Sequence, residues 1–335
     1  MKPSSTILGI ESSCDDTAAA VIHNGSILSN ITSTQKVHET YGGVVPELAS
    51  RAHQSNIIPV IDVAMKTANL ELQNLDAIAV TQGPGLMGSL MVGLNTAKAL
   101  SMSLNIPLIG VNHLQAHVAA LYIEHQVKFP MLCLLVSGGH TQLIWVKDHM
   151  EMEIIGSTID DAVGEAFDKA GKLLGLGYPG GPQISKLAQN GDKNTFQFPD
   201  SQLPDYQFSF SGIKTSLLYF LRDKGKIDAD FAKNNLENIC ASYENALVHM
   251  LTKRVKKAIK NLNPQSIGLV GGVSANSVLR NAMKELGNKH NIECYVPDFQ
   301  YCTDNAGMIA KAGSFLFETQ QFIEVSALPF SKCTH

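Results

Sequence analysis

Short apolar runs separated by polar, glycine-rich turns recur along the chain, and each run predicts a strand. Residues 7–10 and 18–23 are the first two, and Asn24-Gly25 just ahead of Ile27 is a strong signal for a hairpin into a third. The polar segment 38–47 leads into a helix to about Asn69, and a strand at 77–80 precedes the turn Gln82-Gly83-Pro84-Gly85. The helix expected at 86–104 is apolar on several sides, with Met87, Leu90, Met91, Leu94, Leu100 and Met102, so it must be buried in its own core or against a partner. A strand at 107–110 then runs directly into another helix. After Glu124 the pattern restarts with strands at 131–136 and 142–146, a third near Ile154, and the polar loop Ser137-Gly138-Gly139-His140-Thr141 between the first two. Two units of strand, loop, strand, turn and strand, each followed by helices, imply a duplicated α/β fold whose loops face one another across a cleft. Further on, 231–262 reads as one long amphipathic helix with Leu236, Ile239, Tyr243, Leu247, Met250, Val255 and Ile259 inward. A strand at 267–270 and a helix at 307–317 complete the pattern.

A chain of 335 residues exceeds what one core usually holds. The repeat divides it into residues 1–126 and 127–335, with the last helix free to pack back on the first half. A hydrophobic content of 44% with 17% charged residues describes a compact enzyme and excludes a disordered or fibrous chain. No apolar run approaches the roughly 20 residues that span a bilayer, and the opening Met1-Lys2-Pro3-Ser4-Ser5 lacks a signal-peptide core, so a cytoplasmic protein is expected. Cys14, Cys133, Cys240, Cys294, Cys302 and Cys333 are scattered without CxxC pairs, which argues for free thiols. A net charge of -4 gives no global attraction to nucleic acid, so any RNA contact must be local.

The helix after residue 110 places His113 and His117 one turn apart on one face, where two neutral imidazoles can share a divalent cation. The loop Glu11-Ser12-Ser13-Cys14-Asp15-Asp16-Thr17 is either an ordinary turn or a site loop at a strand end. The glycines at 83, 85 and 88 match GxGxxG in a strand-to-helix context, yet a dinucleotide site is rejected. No acidic residue follows near 106–110, and Pro84 removes a backbone donor. Gly271-Gly272-Val273 leads to Ser274-Ala275-Asn276 at a helix start, where backbone N–H groups can face an anion or a ribose. Asp304 is either a cap for the helix that follows or a third metal ligand. Lys253, Arg254, Lys256, Lys257 and Lys260 form a basic helix end, read mainly as a solvated, dipole-favoured face with RNA contact as the lesser alternative.

From residue 8 to about 317 the chain resembles the TsaD family, formerly called Gcp and once taken for a glycoprotease, whose members complete threonylcarbamoyladenosine in tRNA. The resemblance rests on many ordered motifs. Among them are Glu11 to Asp16, Tyr41 to Arg51, Gly83 to Gly85, His113 with His117, and Leu135 to Gln142. The later ones are Asp160 to Lys169, Tyr178 to Gly181, Phe208 to Thr215, Gly271 to Asn276 and Cys302 to Asn305. It implies a duplicated actin-like ATPase (ribonuclease H-like) fold, similar to sugar kinases and chaperone ATPases. It implies further that His113, His117 and Asp304 hold one divalent metal, iron or zinc. Leu135, Val136, Ser137, Gly138, Gly139, Asp168, Gly181 and Asn276 would bind threonylcarbamoyl-AMP, together with Ser185 at a position that is often an aspartate. The implied reaction moves the threonylcarbamoyl group to the N6 amine of the adenosine 3′ of the anticodon in tRNAs reading codons that begin with A. The implied partners are tRNA, a TsaB-like inactive paralogue, a TsaE-like ATPase and a separate synthase for the donor. Glu11, Asp15 and Asp16 are the candidate bases for the amine proton.

Two other classes compete. A metalloprotease is disfavoured because His113 to His117 lacks the glutamate of HExxH. An ATP-dependent kinase or ATPase of the same superfamily would need no Walker A sequence, and it would turn over ATP without tRNA.

Overall fold

The protein is described here by a computed structural model, covering residues 5–201 and 203–332. The signal-free opening expected at residues 1–4 and the free thiol expected at Cys333 lie outside the described residues. The chain forms two units.

In the first unit, β1 (Thr6–Glu11), β2 (Asp16–His23) and β3 (Ser26–Thr34) form an antiparallel meander, and Asn24 and Gly25 turn the hairpin with φ of 50° and 81°. After α1 (Pro46–Thr67) come β4 (Ala77–Gly83), α2 (Met87–Leu104) and β5 (Leu108–Asn112), followed by the short helices α3 (His113–Ala119) and α4 (Leu121–Glu124). The sheet order is β3-β2-β1-β4-β5, with β1, β4 and β5 parallel. Leu8, Ile10, Val21, Ile78 and Val80 face α1 and α2, so one side of the sheet is closed by a helical layer.

In the second unit, β6 (Met131–Val136), β7 (Thr141–Asp148) and β8 (Glu151–Ser157) repeat the antiparallel meander. There follow α5 (Val163–Leu173), α6 (Gly180–Ala188), α7 (Ser211–Gly225), α8 (Phe231–Asn234), α9 (Leu236–Leu262), β9 (Ser266–Val270), α10 (Ser277–His290) and β10 (Glu293–Tyr295). The sheet reads β10-β9-β6-β7-β8, the same topology as the first. The single helix expected at 231–262 is broken. Asn235, at φ −118° and ψ 15°, leaves helical geometry; its backbone N–H still donates to the Phe231 carbonyl at 3.0 Å, and its side-chain amide donates to the same carbonyl at 2.9 Å. The residues expected to point inward from α9 do so, from Ile239 to Ile259.

The expected second half, 127–335, is corrected at its end. The described residues from Pro297 onward belong with the first unit, onto which the last helix packs back, and the second unit stops at Val296. The reason is the fit of α11 (Ala306–Glu318) on the open face of the first sheet. A Cβ on Gly9 would lie 2.6 Å from the Ala306 carbonyl oxygen, and one on Gly313 would lie 2.4 Å from Ala79 Cβ. Strand and helix thus approach so closely that only glycine fits at both crossings. With both faces covered, β1 is buried at every position, which is why it reads as a continuous apolar run. The segment beyond α11 is tied down by Ile323 N–H to the Leu108 carbonyl (2.9 Å), Phe330 N–H to the Gln82 carbonyl (3.1 Å) and Lys98 Nζ to the Ala327 carbonyl (2.6 Å). Gly83 and Gly85 sit under this segment and against Ser13 respectively, so the glycines of the GxGxxG-like turn serve close packing. No described helix is long and apolar enough to cross a membrane.

Candidate functional site

The structure gathers His113, His117 and Asp304 within the first unit, with their ligand atoms all within 4.8 Å of one another. Asn112 starts α3 by accepting from the backbone N–H groups of Leu114 and Gln115, and this sets the face on which both imidazoles project. Asp304 stands just ahead of α11, but it does not cap that helix. Asn305 does so, accepting from Met308 N–H at 3.0 Å, which leaves the Asp304 carboxylate free to face the histidines. Its Oδ1 lies 3.4 Å from His113 Nε2 and 3.2 Å from His117 Nε2. The His117 ring is 1% exposed, and neither of its nitrogens has a hydrogen-bond partner among the described residues. A buried imidazole so left is costly unless something else is bound. Two imidazoles and one carboxylate fit a divalent ion such as iron or zinc and leave positions on it open.

Behind His113 stands Glu11, fully buried at the end of β1. Its Oε2 accepts from His113 Nδ1–H at 3.1 Å and from the Thr81 hydroxyl at 2.6 Å, while Oε1 accepts from Ser13 N–H. That acceptor holds a proton on Nδ1, so when the ring gives up its other proton it is Nε2, facing Asp304, that offers a lone pair. Burial alone would drive the proton off His113, but Asp304 and Glu11 on either side outweigh it and hold the ring well above the ordinary histidine range. Against the same cost of burial, the two imidazoles hold Asp304 far below the usual carboxylate range. The loop 11–17 is braced by His53, which bonds the Thr17 hydroxyl at 2.7 Å and the Cys14 carbonyl at 2.9 Å. Burial pushes the Asp16 carboxyl up to about 7, and its Oδ1 has no partner among the described residues.

The remaining residues all fall in the second unit. Ser137, Gly138, Gly139 and His140 form the turn between β6 and β7, closed by Ser137 N–H to the His140 carbonyl at 2.8 Å. Both glycines are exposed, and a Cβ on either would meet nothing within 4 Å. Leu135 and Val136 are fully buried in β6, so their side chains belong to the core. Asp168 accepts from Gly180 N–H at 2.8 Å at the start of α6, the helix that carries Gly181 and Ser185. Asn276 caps α10 through Leu279 N–H at 2.9 Å and donates to the Ser185 hydroxyl at 2.8 Å.

Three contributors escaped the reading of the sequence. Thr81 supports Glu11 from a position that carries no motif, Ser13 does so from within the Glu11 to Asp16 motif but had no role of its own there, and Glu11 itself stood out only as a candidate base. Glu244, 3% exposed on α9, accepts from both Ser185 and Asn276. The one available signal was a carboxylate lying next to Tyr243 on the apolar face of that helix.

A family model described as TsaD, tRNA N6-adenosine threonylcarbamoyltransferase, matches residues 26–311. A protein of that name from Christiangramia forsetii is 54% identical over 97% of this chain and 97% of its own length. Another, from Phocaeicola vulgatus, is 53% identical over 98% of each chain. Among solved structures, T. kodakarensis HypF aligns with a TM-score of 0.62 at 14% identity, covering 95% of this chain and 48% of that one. The Acidaminococcus fermentans (R)-2-hydroxyglutaryl-CoA dehydratase component A aligns at 0.54 and 13% identity, over 95% and 99%. At such identities the structural likeness establishes the two-domain actin-like α/β fold alone. Near-full-length identity above one half carries more, and by it this chain belongs to the TsaD family.

Proposed function

We infer that this chain transfers the threonylcarbamoyl group from threonylcarbamoyl-AMP to the N6 amine of the adenosine 3′ of the anticodon, in tRNAs reading codons that begin with A. The observation that carries the reading is full-length kinship with tRNA N6-adenosine threonylcarbamoyltransferases. The amine is a poor nucleophile because its lone pair is delocalised into the ring, so the carbamoyl carbon must be made more electrophilic. His113, His117 and Asp304 would hold one iron or zinc ion, which when bound supplies Lewis acidity at the carbamoyl oxygen and the leaving phosphate, worth several kcal/mol. Glu11 orients the His113 ring from behind through its bond to Nδ1. The turn 137–139, with Asp168, Gly181, Ser185 and Asn276, would hold the adenylate. Its exposed glycines allow a ligand to approach the backbone closely.

The amine proton needs an acceptor. Both oxygens of Glu11 are engaged by donors, whereas Asp16 is poised near neutrality with one oxygen unpartnered among the described residues, so Asp16 takes this role over Glu11.

The chain acts with partners: the tRNA, a separate synthase that makes the donor, a TsaB-like paralogue and a TsaE-like ATPase. Exposed apolar side chains on the first unit support a docking face. Leu90 and Leu94 of α2 are buried, but Met87, Met91 and Met102 are 44%, 48% and 67% exposed, and Ile58 on neighbouring α1 is 60% exposed. The basic end of α9 offers the RNA less than its composition suggests, because Arg254 is buried against Asp200 and Lys253 pairs with the same carboxylate.

The test is to supply threonylcarbamoyl-AMP and tRNA, with and without the partner proteins, and to analyse the nucleosides by mass spectrometry. Modified adenosine that depends on this chain supports the reading, and its absence with every partner present overturns it. Rapid, repeated turnover by the chain alone would refute the need for a partner.

A further inference from the structure

Glu244 is a buried carboxylate without a counter-ion. Among the described residues it makes two contacts, both to the same oxygen: Oε1 accepts from the Ser185 hydroxyl at 2.6 Å and from Asn276 Nδ2 at 2.6 Å. Among the described residues no lysine, arginine or histidine pairs with it, and Oε2 receives no hydrogen bond. Keeping a charge at 3% exposure on two neutral donors is expensive. A glutamine would make the same two contacts through its amide oxygen at lower cost, so architecture alone does not account for the acid.

The surroundings fix where the free oxygen stands. Asn276 is pinned as the cap of α10, which commits its amide oxygen to Leu279 N–H and its Nδ2 to Glu244. Ser185 comes from α6, which packs along α9. The result is an acceptor-rich spot at the meeting of three helices, with lone pairs to spare and no donor to fill them. A ligand that completes it must bring hydroxyl or amine hydrogens, and the vicinal hydroxyls of a ribose are such donors; a buried acid is a common partner for them.

We propose that Glu244 reads the ribose hydroxyls of the adenylate through Oε2, and that Ser185 and Asn276 hold its carboxylate in position. The proposal rests on the reading that places the adenylate beside Ser185 and Asn276.

The test compares binding of AMP, 2′-deoxy-AMP and 3′-deoxy-AMP to the parent chain and to Glu244→Gln by calorimetry. The amide keeps both existing bonds through its oxygen and turns only the free position from acceptor into donor, so the variant should fold with a melting temperature no lower than the parent's. The parent should prefer AMP to at least one deoxynucleotide by about ten- to a hundredfold, the scale of a hydrogen bond to a charged group. The variant should lose that preference, while its affinity for the same deoxynucleotide stays within about twofold. A folded variant that still discriminates as the parent does would overturn the role of Glu244 alone. A parent that binds none of the three would overturn the placement of the adenylate, and this proposal with it.

Discussion

Replacing Glu11 by glutamine isolates the group behind the histidine cluster. The carboxylate serves three donors: His113 Nδ1–H at 3.1 Å, the Thr81 hydroxyl at 2.6 Å and Ser13 N–H. A carboxamide of the same shape keeps one acceptor oxygen. Whichever way it turns, His113 loses either its acceptor or the negative charge behind that acceptor. In the first case the ring is free to place its proton on Nε2, the nitrogen 3.4 Å from Asp304, and so withdraws the lone pair that a metal needs. In the second the ring is held but is a weaker base. Loss of such a supporting partner costs about ten- to a hundredfold in metal affinity, or roughly 1.4 to 2.8 kcal/mol at 1.4 kcal/mol per factor of ten. The assay is a competition for zinc with a chromophoric chelator on metal-stripped parent and variant, alongside a melting curve to show that the variant is folded. A folded Glu11→Gln chain that binds zinc within twofold of the parent would falsify the assignment.

Three further outcomes are expected. Because His113 keeps its proton at neutral pH in the metal-free chain, zinc uptake at pH 7 should release about one proton and tighten as pH rises; calorimetry in buffers of different ionisation heat reads this, and zero release contradicts it. The raised value of Asp16 means that the native state retains a proton which the unfolded chain releases. Stability of the metal-stripped protein should therefore fall as pH climbs from about 4 to about 7, by at most about 4 kcal/mol. Asp16→Asn should remove most of that slope in urea melts, and an unchanged slope would disprove the shift. Gly138→Val adds a side chain where nothing lies within 4 Å, so it should leave the melting temperature within a degree or two while weakening adenylate binding at least tenfold. Unaltered binding in that folded variant would make the loop a plain turn.

The sequence showed the strands well, because β1, β4, β6 and β9 are covered on both faces and appear as unbroken apolar runs. The duplication followed from their spacing. The break at Asn235 was hidden, since one polar residue on an amphipathic pattern interrupts no periodicity. His113 and His117 were legible because a helix sets neighbours by local geometry alone. Asp304 lies 187 residues beyond His117 (304 − 117), and only the fit of α11 on β1 brings them together, a tertiary fact with no local trace. Whether Asp304 capped its helix depended on a backbone rotation that left this task to Asn305. Glu11 showed as an acid in a loop, but its partners, Thr81 and His113, come from β4 and α3.

The return of the chain from Pro297 onward to the first unit also orders events in time. Domains fold as units while the chain is being made. Residues 127–296 are contiguous, so that core has all its parts before residue 297 emerges. The earlier-made unit has to wait: Gly9 and Ala79 lack their covering helix, and the two imidazoles lack their carboxylate, until Asp304 and α11 have been synthesised. A nascent chain halted short of that point carries both histidines and no complete ligand set. The proposed metal site would thereby be completed late in synthesis, and only in chains translated through Asp304.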